Sequence, residues 1–396
     1  MPAVEVSFIK LLEPDEKKKS SVFYLDLANS ASTLACKHGN NTIKFWSVTD
    51  GSLQHVVKFA SYTDPQIRSR NYFIRSHAIL SETNNIVAIA TRLGTTLEVW
   101  NWASKKRLQS ISNADRWAGG RFAIGATGWG PLAVYHGEGA IIDVYMATTS
   151  KKPYFNMRTI HLKKAGLPVL PQYPELALSA TSPMLVAASG PRPPRHGHPP
   201  PHHETLLAAW DIHEDGSLSN QPFKIAKPWQ HSEIDTALPM SVATYGSVVV
   251  SIWVPADFVA VAHSQSEGGW KLQPTKVLFQ YVLVWDLTIG STRTIRIPNA
   301  VACISPNCRY VAYCDANGVN HGARGNLAIL DTMTGQQVWC WPDPDAAPTD
   351  ESLEHGFRHL HDLSHVTDLT FSAGGGMLVV SDAEGRCGMY EISERK

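Results

Sequence analysis

A proline- and histidine-rich segment, Pro191–His203, holds the side chains that most suggest chemistry. Its histidines are His196, His198, His202 and His203, and imidazole is a good ligand for zinc, copper or nickel. No cysteine or acidic residue accompanies them in the segment, and its prolines prevent pairing as a ladder strand. The pattern predicts an exposed insertion that docks a partner, with metal binding by the four histidines as the weaker alternative and no metal site assigned.

A second segment, Trp341–His365, is acidic and also carries histidines. His355 and His359 are spaced i, i+4, which on a helix places them on one face. The HExxH type of hydrolytic zinc site needs a glutamate directly after the first histidine, and glycine stands there instead. We therefore expect a short surface helix or loop in this segment.

Arginine and tryptophan cluster in a third region, NADRWAGGRFAIGATGWG. Exposed side chains of these two types dominate the hot spots of protein interfaces, which favours partner binding. Glycine-rich turns with a buried tryptophan also fill space between packed sheets, and this alternative stays equally open. The residues considered for partner binding, here and in two other loops, are Arg116, Trp117, Arg121, Trp129, Trp270, His321 and Arg324.

The sequence lacks the local motifs of common catalytic sites. It contains no GxSxG nucleophile elbow, no GxxxxGK[ST] phosphate loop and no GxGxxG turn after a strand. We therefore expect no cofactor and no catalytic residues. An enzyme whose residues converge from distant parts of the chain leaves no such motif, and it remains the alternative.

Charge and composition exclude further classes of protein. The 396 residues include 35 Lys+Arg and 35 Asp+Glu, so no net field attracts nucleic acid or an anionic membrane. No run of 18 apolar residues occurs, and the first residues lack the order of a secretory signal. The six cysteines form no CxxC pair, which indicates reduced thiols rather than a disulfide framework or zinc knuckle. These features predict a cytoplasmic or nuclear protein without membrane insertion.

A short apolar stretch that ends in an aromatic residue or leucine recurs along the chain. The seven copies end at Trp46, Trp100, Tyr145, Trp210, Trp285, Leu330 and Tyr390. Their spacings are 54, 45, 65, 75, 45 and 60 residues. The shortest spacing matches a four-stranded unit of roughly 40–50 residues, so the longer ones are interpreted as the same unit with inserted loops.

Polar turns between the apolar runs predict antiparallel strands. In the sixth unit two strands join at Ser305-Pro306-Asn307, where Asn307 is predicted to take a positive φ. In the first unit the predicted hairpin turns are Asn40-Asn41 and Asp50-Gly51. The runs lack helical spacing, which is typical of strands buried on both faces.

This organisation resembles the WD40-type seven-bladed β-propellers. The matching stretches are KFWSVTDG, VWNW, AAWDI and VWDL, together with ISPNCRYVAY. Trp210-Asp211 and Trp285-Asp286 retain the family's dipeptide, whereas its Gly-His pair does not recur regularly. The resemblance implies an all-β fold with one propeller domain over residues 1–396. The expected blades are 20–60, 72–112, 118–163, 173–227, 236–298, 299–342 and 364–393, with insertions at 190–204 and 342–364.

The chain ends predict how the ring closes. The six residues after Tyr390 are too few for an outer strand, whereas VEVSFIKLL is a spare apolar segment before the first unit. Residues 3–11 are therefore predicted to form the outermost strand of blade seven, which would also cover an exposed sheet edge.

Long loops on a fixed frame suit a propeller to holding partners. We expect a non-enzymatic scaffold that binds one or more proteins in a multiprotein complex. The alternative is a propeller enzyme of the lactonase, cyclase or quinone-dependent type, with its site in the central channel. Converging carboxylates and histidines with shifted pKa values in the channel lining would favour the enzyme, whereas apolar or hydroxyl residues would favour the scaffold.

Overall fold

A computed structural model describes residues 4–13, 20–39, 41–59, 75–120, 129–148, 152–212, 220–262, 269–315, 325–342, 360 and 363–394. These residues form seven four-stranded antiparallel sheets and one two-stranded sheet. The first strand of each four-stranded sheet contacts the first strands of its two neighbours in a closed cycle. The protein is therefore an all-β, seven-bladed β-propeller, as predicted, with the first strands around a central channel.

The strands of each blade are given below in order from the channel to the outer edge. Blade one contains β2 (Val22–Leu27), β3 (Thr33–His38), β4 (Thr42–Ser47) and β5 (Leu53–Lys58). Blade two contains β6 (His77–Ser81), β7 (Ile86–Thr91), β8 (Thr96–Asn101) and β9 (Lys106–Ser112). Blade three contains β10 (Arg116–Gly119), β11 (Leu132–His136), β12 (Ile141–Ala147) and β13 (Tyr154–His161). Blade four contains β14 (Glu175–Leu178), β15 (Met184–Ser189), β16 (Leu206–Asp211) and β17 (Lys224–Ala226).

The remaining blades carry the largest described insertion and the closing strand. Blade five contains β18 (Ala237–Tyr245), β19 (Val248–Pro255), β22 (Phe279–Asp286) and β23 (Thr292–Pro298), with an inserted hairpin of β20 (Phe258–Ala262) and β21 (Trp270–Pro274). Blade six contains β24 (Val301–Ile304), β25 (Tyr310–Asp315), β26 (Asn326–Asp331) and β27 (Gln337–Trp341). Blade seven contains β28 (Val366–Phe371), β29 (Met377–Asp382), β30 (Cys387–Glu394) and β1 (Val4–Leu12). Within the described residues the structure has no α-helix, and its 3-10 turns are Arg92–Gly94, Leu162–Lys164, Pro228–Gln230 and Leu363–His365.

The N-terminal strand closes the ring, which confirms the prediction. Strand β1 pairs antiparallel with β30, from Val4 opposite Glu394 to Leu12 opposite Cys387. Val4 and Val6 are buried, while Glu5 and Ser7 are exposed, so the period of two matches one buried face. Both valines pack in the cluster between blades six and seven.

The blades cohere because their middle strands are buried on both faces. All six residues of β7, β15 and β25 are buried. In blade one, Ala35, Ile43 and Phe45 pack towards blade two, while Leu34 and Trp46 pack towards blade seven. Alternation of side chains along each strand thus supplies apolar contacts to both neighbouring blades.

The aspartate that ends several third strands begins the next turn. The Asp286 Oδ1 atom accepts the backbone N–H of Thr288 at 2.7 Å, and the Asp331 Oδ1 atom accepts that of Met333 at 2.8 Å. These are side-chain turns of the Asx type. They give the aspartate of the Trp285-Asp286 dipeptide a local structural role.

Turn residues were predicted with one error. Asn41 and Gly51 take positive φ values of 58° and 76°, as expected for the hairpins of blade one. In blade six, however, the positive φ of 59° falls on Cys308, so the prediction for Asn307 is wrong. The Asn307 Oδ1 atom instead accepts hydrogen bonds from the Ser305 hydroxyl and the Arg309 backbone N–H. Its amide stabilises the turn through the side chain rather than through the backbone.

The connections between strands divide the propeller into two unequal faces. In antiparallel blades, the connections between second and third strands lie on the same face as those between consecutive blades. This face carries the long connections 162–174, 190–205, 227–236 and 256–278, and we call it the insertion face. The opposite face carries short turns such as 28–32, 82–85 and 305–309, besides the longer connections 120–131 and 212–223. Most of the predicted insertion 342–364 lies outside the described residues.

Candidate functional site

The Pro191–His203 segment connects β15 to β16 on the insertion face and contains no strand. Its base is held by Arg192 and Glu204. The Arg192 guanidinium donates from Nε to Glu204 Oε1 at 2.8 Å, and its backbone N–H donates to Oε2 at 2.9 Å. Burial alone would raise the pKa of Glu204, but the hydrogen bonds from Arg192 hold it below its usual range. The contacts between Arg192 and Glu204 therefore hold the two ends of the insertion together where it leaves the blade, and we call them the Arg192–Glu204 clasp.

The end of the segment is attached to the connection between blades four and five. The Asp235 carboxylate accepts a hydrogen bond from the backbone N–H of His203 at 2.6 Å. Its other oxygen lies 3.2 Å from the Nδ1 atom of His202. The His203 ring stacks on Trp229, with ring centroids 6.0 Å apart. His202 and His203 thus make protein contacts, while His196 and His198 are exposed nearer the tip. The described residues hold no cluster of three or more potential metal ligands.

The blade-five hairpin lies against the proline-rich segment. Gly197, with a φ of 79°, donates its backbone N–H to the Trp270 carbonyl at 2.7 Å. Between the two insertions lies an apolar groove of about 250 Å³, which we call the insertion groove. Its lining includes Pro193, Pro194, Pro200, Pro201, Phe258 and Leu272. Phe258 lines this groove and is 50% exposed.

Exposed cationic side chains lie on the same two insertions as the groove lining. Arg195 on the proline-rich segment and Lys271 and Lys276 on or beside the hairpin are exposed. Asp257 lies in the groove lining and is half-buried. The two insertions therefore carry an apolar groove together with exposed cations, a combination that is complementary to an apolar segment flanked by carboxylates.

The tryptophan and arginine residues considered for partner binding differ in their burial. Trp117 is 4% exposed and packs between blades two and three, which is the space-filling alternative of the two that the sequence left open. Trp129 is half-buried, with its ring centroid 6.1 Å from that of Tyr154. Trp270 is also half-buried and lies on the hairpin. Three further residues considered for partner binding lie outside the described residues: Arg121, His321 and Arg324.

Arg116 links blades three and four at the channel mouth. Its Nε atom lies 3.2 Å from the Glu175 Oε1 atom, and its guanidinium lies 5.7 Å from the centroid of the Tyr173 ring. Burial raises the pKa of Glu175 to about 7, although Arg116 and Arg75 both favour its carboxylate. Tyr173 is exposed, so this cluster is a second polar and aromatic feature of the insertion face.

The central channel is a cavity of about 200 Å³. Two carboxylates in its lining accept hydrogen bonds from neighbouring blades. The Asp26 Oδ2 atom accepts the backbone N–H of Ile79 at 2.5 Å, and the Asp368 Oδ2 atom accepts that of Leu25 at 2.8 Å. The lining also includes Arg75 and His77, and burial lowers the pKa of His77 to about 4. Much of the remaining described lining is apolar or hydroxyl-bearing, including Leu176, Ala177, Ser241, Val242, Ile304 and Thr370. Asp26 and Asp368 therefore connect neighbouring first strands through hydrogen bonds.

Comparisons with known proteins give no family for this chain. No model of a protein family matches the sequence. No curated protein matches it either. Among the residues that the structure describes, no helix is long and apolar enough to span a membrane.

Sequence reasoning missed the insertion groove, which needs two segments from different blades. Its proline-rich wall was recognised, but the hairpin β20–β21 was not. The available signal was the two longest spacings in the chain, 65 residues from Tyr145 to Trp210 and 75 residues from Trp210 to Trp285, each of which includes one of the two insertions. The contacts that Asp235 and Trp229 make with the segment have no local sequence signature.

The tip of the proline-rich segment is expected to contribute little to stability. Replacing residues 193–201 by a Gly/Ser linker keeps the Arg192–Glu204 clasp and both contacts of Asp235. Since the removed residues lie outside the blade cores, the free energy of unfolding is expected to fall by about 1 kcal/mol or less. Urea unfolding monitored by tryptophan fluorescence measures this change. A variant that fails to fold would show that the tip packs into the propeller itself.

Proposed function

We propose that this protein is a non-enzymatic, WD40-like scaffold that binds a protein partner through the insertion groove. The observation that carries the proposal is the groove itself, with an apolar floor that includes the half-exposed Phe258. The expected partner offers an apolar side chain for this floor. It carries carboxylates that pair with the exposed cations of the two insertions, Arg195 and Lys276.

Rigidity of the groove supports binding. Proline side chains restrict the backbone, and the Arg192–Glu204 clasp and the contact between Gly197 and Trp270 hold the segment against the hairpin. A preformed surface loses little conformational entropy when a partner binds. A large aromatic side chain in a preformed pocket is also a frequent centre of interface energy.

The state of the channel carboxylates supports a scaffold rather than a channel enzyme. An acid–base pair needs carboxyl groups that are free to exchange protons with a substrate. Asp26 and Asp368 instead accept backbone N–H groups of the adjacent blade, which suits a role in the stability of the ring. The shifted pKa values of His77 and Glu175 are the features that favour the alternative of a channel enzyme, although Glu175 is paired with Arg116.

Two further features support the finer parts of the proposal. The side-chain turn of Asp286 gives a structural reason for the aspartate of the Trp285-Asp286 dipeptide, and Asp331 makes the same turn after Leu330, which favours a WD40-like origin for the repeats. The six cysteines are free thiols, which persist in the reducing cytoplasm and nucleus. We therefore assign the complex to one of these compartments.

Affinity purification from the native cell, followed by mass spectrometry, tests the proposal when it includes a matched pair of variants. Phe258→Asp places a charge on the groove floor. Phe155→Asp places the same charge on the outer strand of blade three, where Phe155 is also 50% exposed. We expect a stoichiometric partner set with the wild type and Phe155→Asp, and at least a tenfold loss with Phe258→Asp.

Two outcomes would contradict the proposal. One is equal recovery of the partners with both variants, which would place binding elsewhere. The other is a wild-type protein that purifies alone, which would move the interpretation towards a channel enzyme. Circular dichroism of both variants controls for folding, since substitutions of exposed side chains usually change stability by about 0.5 kcal/mol.

A further inference from the structure

Two cysteines that are far apart in the sequence are in contact where blades one and seven meet, which we call the seam of the ring. The Sγ atoms of Cys36 and Cys387 are 3.6 Å apart. Cys36 lies on β3 of blade one, and Cys387 begins β30 of blade seven. Their exposures are 0% and 2%, and both belong to the apolar cluster between these two blades.

The contact lies beside the noncovalent closure of the propeller. Cys387 is directly opposite Leu12 in the pairing of β30 with β1. Residues 36 and 387 enclose most of the chain, including strands of every blade. A covalent bond between them would hold the ends of the ring together independently of β1.

We propose that Cys36 and Cys387 are a redox modification site, at which a low-molecular-weight disulfide such as oxidised glutathione produces an intramolecular disulfide that locks the ring. In the first step one cysteine loses its proton, and its thiolate attacks the glutathione disulfide. The glutathione S–S bond breaks, a mixed disulfide forms, and one glutathione thiolate leaves. The second cysteine then loses its proton and attacks the protein sulfur of the mixed disulfide. The Cys36–Cys387 bond forms and the second glutathione leaves, so two protein thiols are oxidised and one glutathione disulfide is reduced.

Packing of the seam controls the rate of this reaction. The hydrogen bond with Cys36 and burial both raise the pKa of Cys387 well above its usual value, so the reactive thiolate is rare in the closed ring. The sulfurs must also approach by roughly 1.5 Å to reach bonding distance. We therefore expect exchange to need transient opening of the seam, and to be faster when β1 is weakened, as in Val6→Ala.

The test oxidises the intact protein with oxidised glutathione at pH 8. After alkylation of free thiols, digestion without reductant and mass spectrometry identify any linked peptides. We expect one linked pair, containing Cys36 and Cys387, and an intact mass lower by two hydrogens. The melting temperature should rise by roughly 5–10 °C and return to its first value on reduction with dithiothreitol.

Matched variants separate this pair from general thiol oxidation. Cys387→Ala should lose both the linked peptide and the rise in melting temperature. Cys314→Ala should keep them, because the buried Cys314 thiol donates to the Leu363 carbonyl on the other side of blade seven. Comparison of oxidised and reduced wild type gives the same answer if Cys387→Ala does not fold.

The proposal is overturned by either of two results. The first is absence of the Cys36–Cys387 link even after refolding from urea in a glutathione redox buffer, where access is not limited. The second is a link that forms without raising the melting temperature. Neither result depends on partner binding through the insertion groove.

Discussion

Deletion of residues 1–11 is expected to lower the stability of the propeller by about 5 kcal/mol or more. The deletion removes most of β1, the outer strand of blade seven, together with the buried Val4 and Val6 and the contact between Phe8 and Tyr390. Burial of a valine side chain contributes roughly 1.5–3 kcal/mol. The deletion also exposes the edge of β30, which favours aggregation. Thermal unfolding followed by circular dichroism measures the loss.

A matched pair of point variants separates burial from strand pairing in the same element. Val6→Ala removes two methyl groups that face the core and is expected to cost about 2 kcal/mol. Ser7→Ala alters the neighbouring exposed side chain and is expected to change stability by less than about 0.5 kcal/mol. Equal effects of the two substitutions, or an unchanged melting temperature after the deletion, would contradict closure by β1.

Acid is expected to weaken the fold between about pH 6.5 and pH 4 because of His77 on the first strand of blade two. The ring is 3% exposed. Its Nδ1 atom lies 2.7 Å from the Ser76 hydroxyl, and its Nε2 atom lies 3.1 Å from the Ala35 carbonyl of blade one. Burial lowers the pKa of His77 to about 4, with smaller effects of Lys37 and Arg75 in the same direction and of Asp26 in the opposite direction.

The sign of the effect follows from proton binding. In the unfolded chain His77 binds a proton below its ordinary pKa of about 6.5, whereas in the folded protein it stays neutral until about pH 4. The contribution to stability is therefore complete above pH 6.5 and is lost as the pH falls towards 4, to a total of about 3 kcal/mol. Urea unfolding of the wild type and of His77→Gln across this range measures it. The variant should be less stable at pH 7 but should vary less with pH, and parallel profiles would contradict the assignment.

The ring and its closure were predictable because each follows from a pattern of residues that are close together in the sequence. The apolar runs ending at Trp46, Trp100 and Trp285 mark third strands, and their spacing gives the number of blades. VEVSFIKLL alternates as a strand with one buried face, so its pairing with blade seven followed from the lack of any other outer strand. The turn at Asn307 was predicted one residue early because side-chain and backbone roles were not distinguished.

The candidate site was less predictable because its contacts join different blades. Burial of Trp117 depends on how closely blades two and three approach, which no local spacing encodes. The contact of Cys36 with Cys387 and the bond from Ile79 to Asp26 likewise arise from ring geometry. The insertion groove shows both cases, since proline content identified one wall and only the fold brings Phe258 of the hairpin beside it.

Hydrogen exchange of the protein with and without its purified partner measures directly whether the insertion groove binds that partner. If the insertion groove binds the partner, backbone amides in peptides covering residues 190–204 and 256–274 should exchange more slowly in the complex. Peptides from the opposite face, such as those covering 246–247 and 332–336, should be unchanged. Protection confined to the opposite face or to the outer strands, with none in the two insertions, would contradict the account.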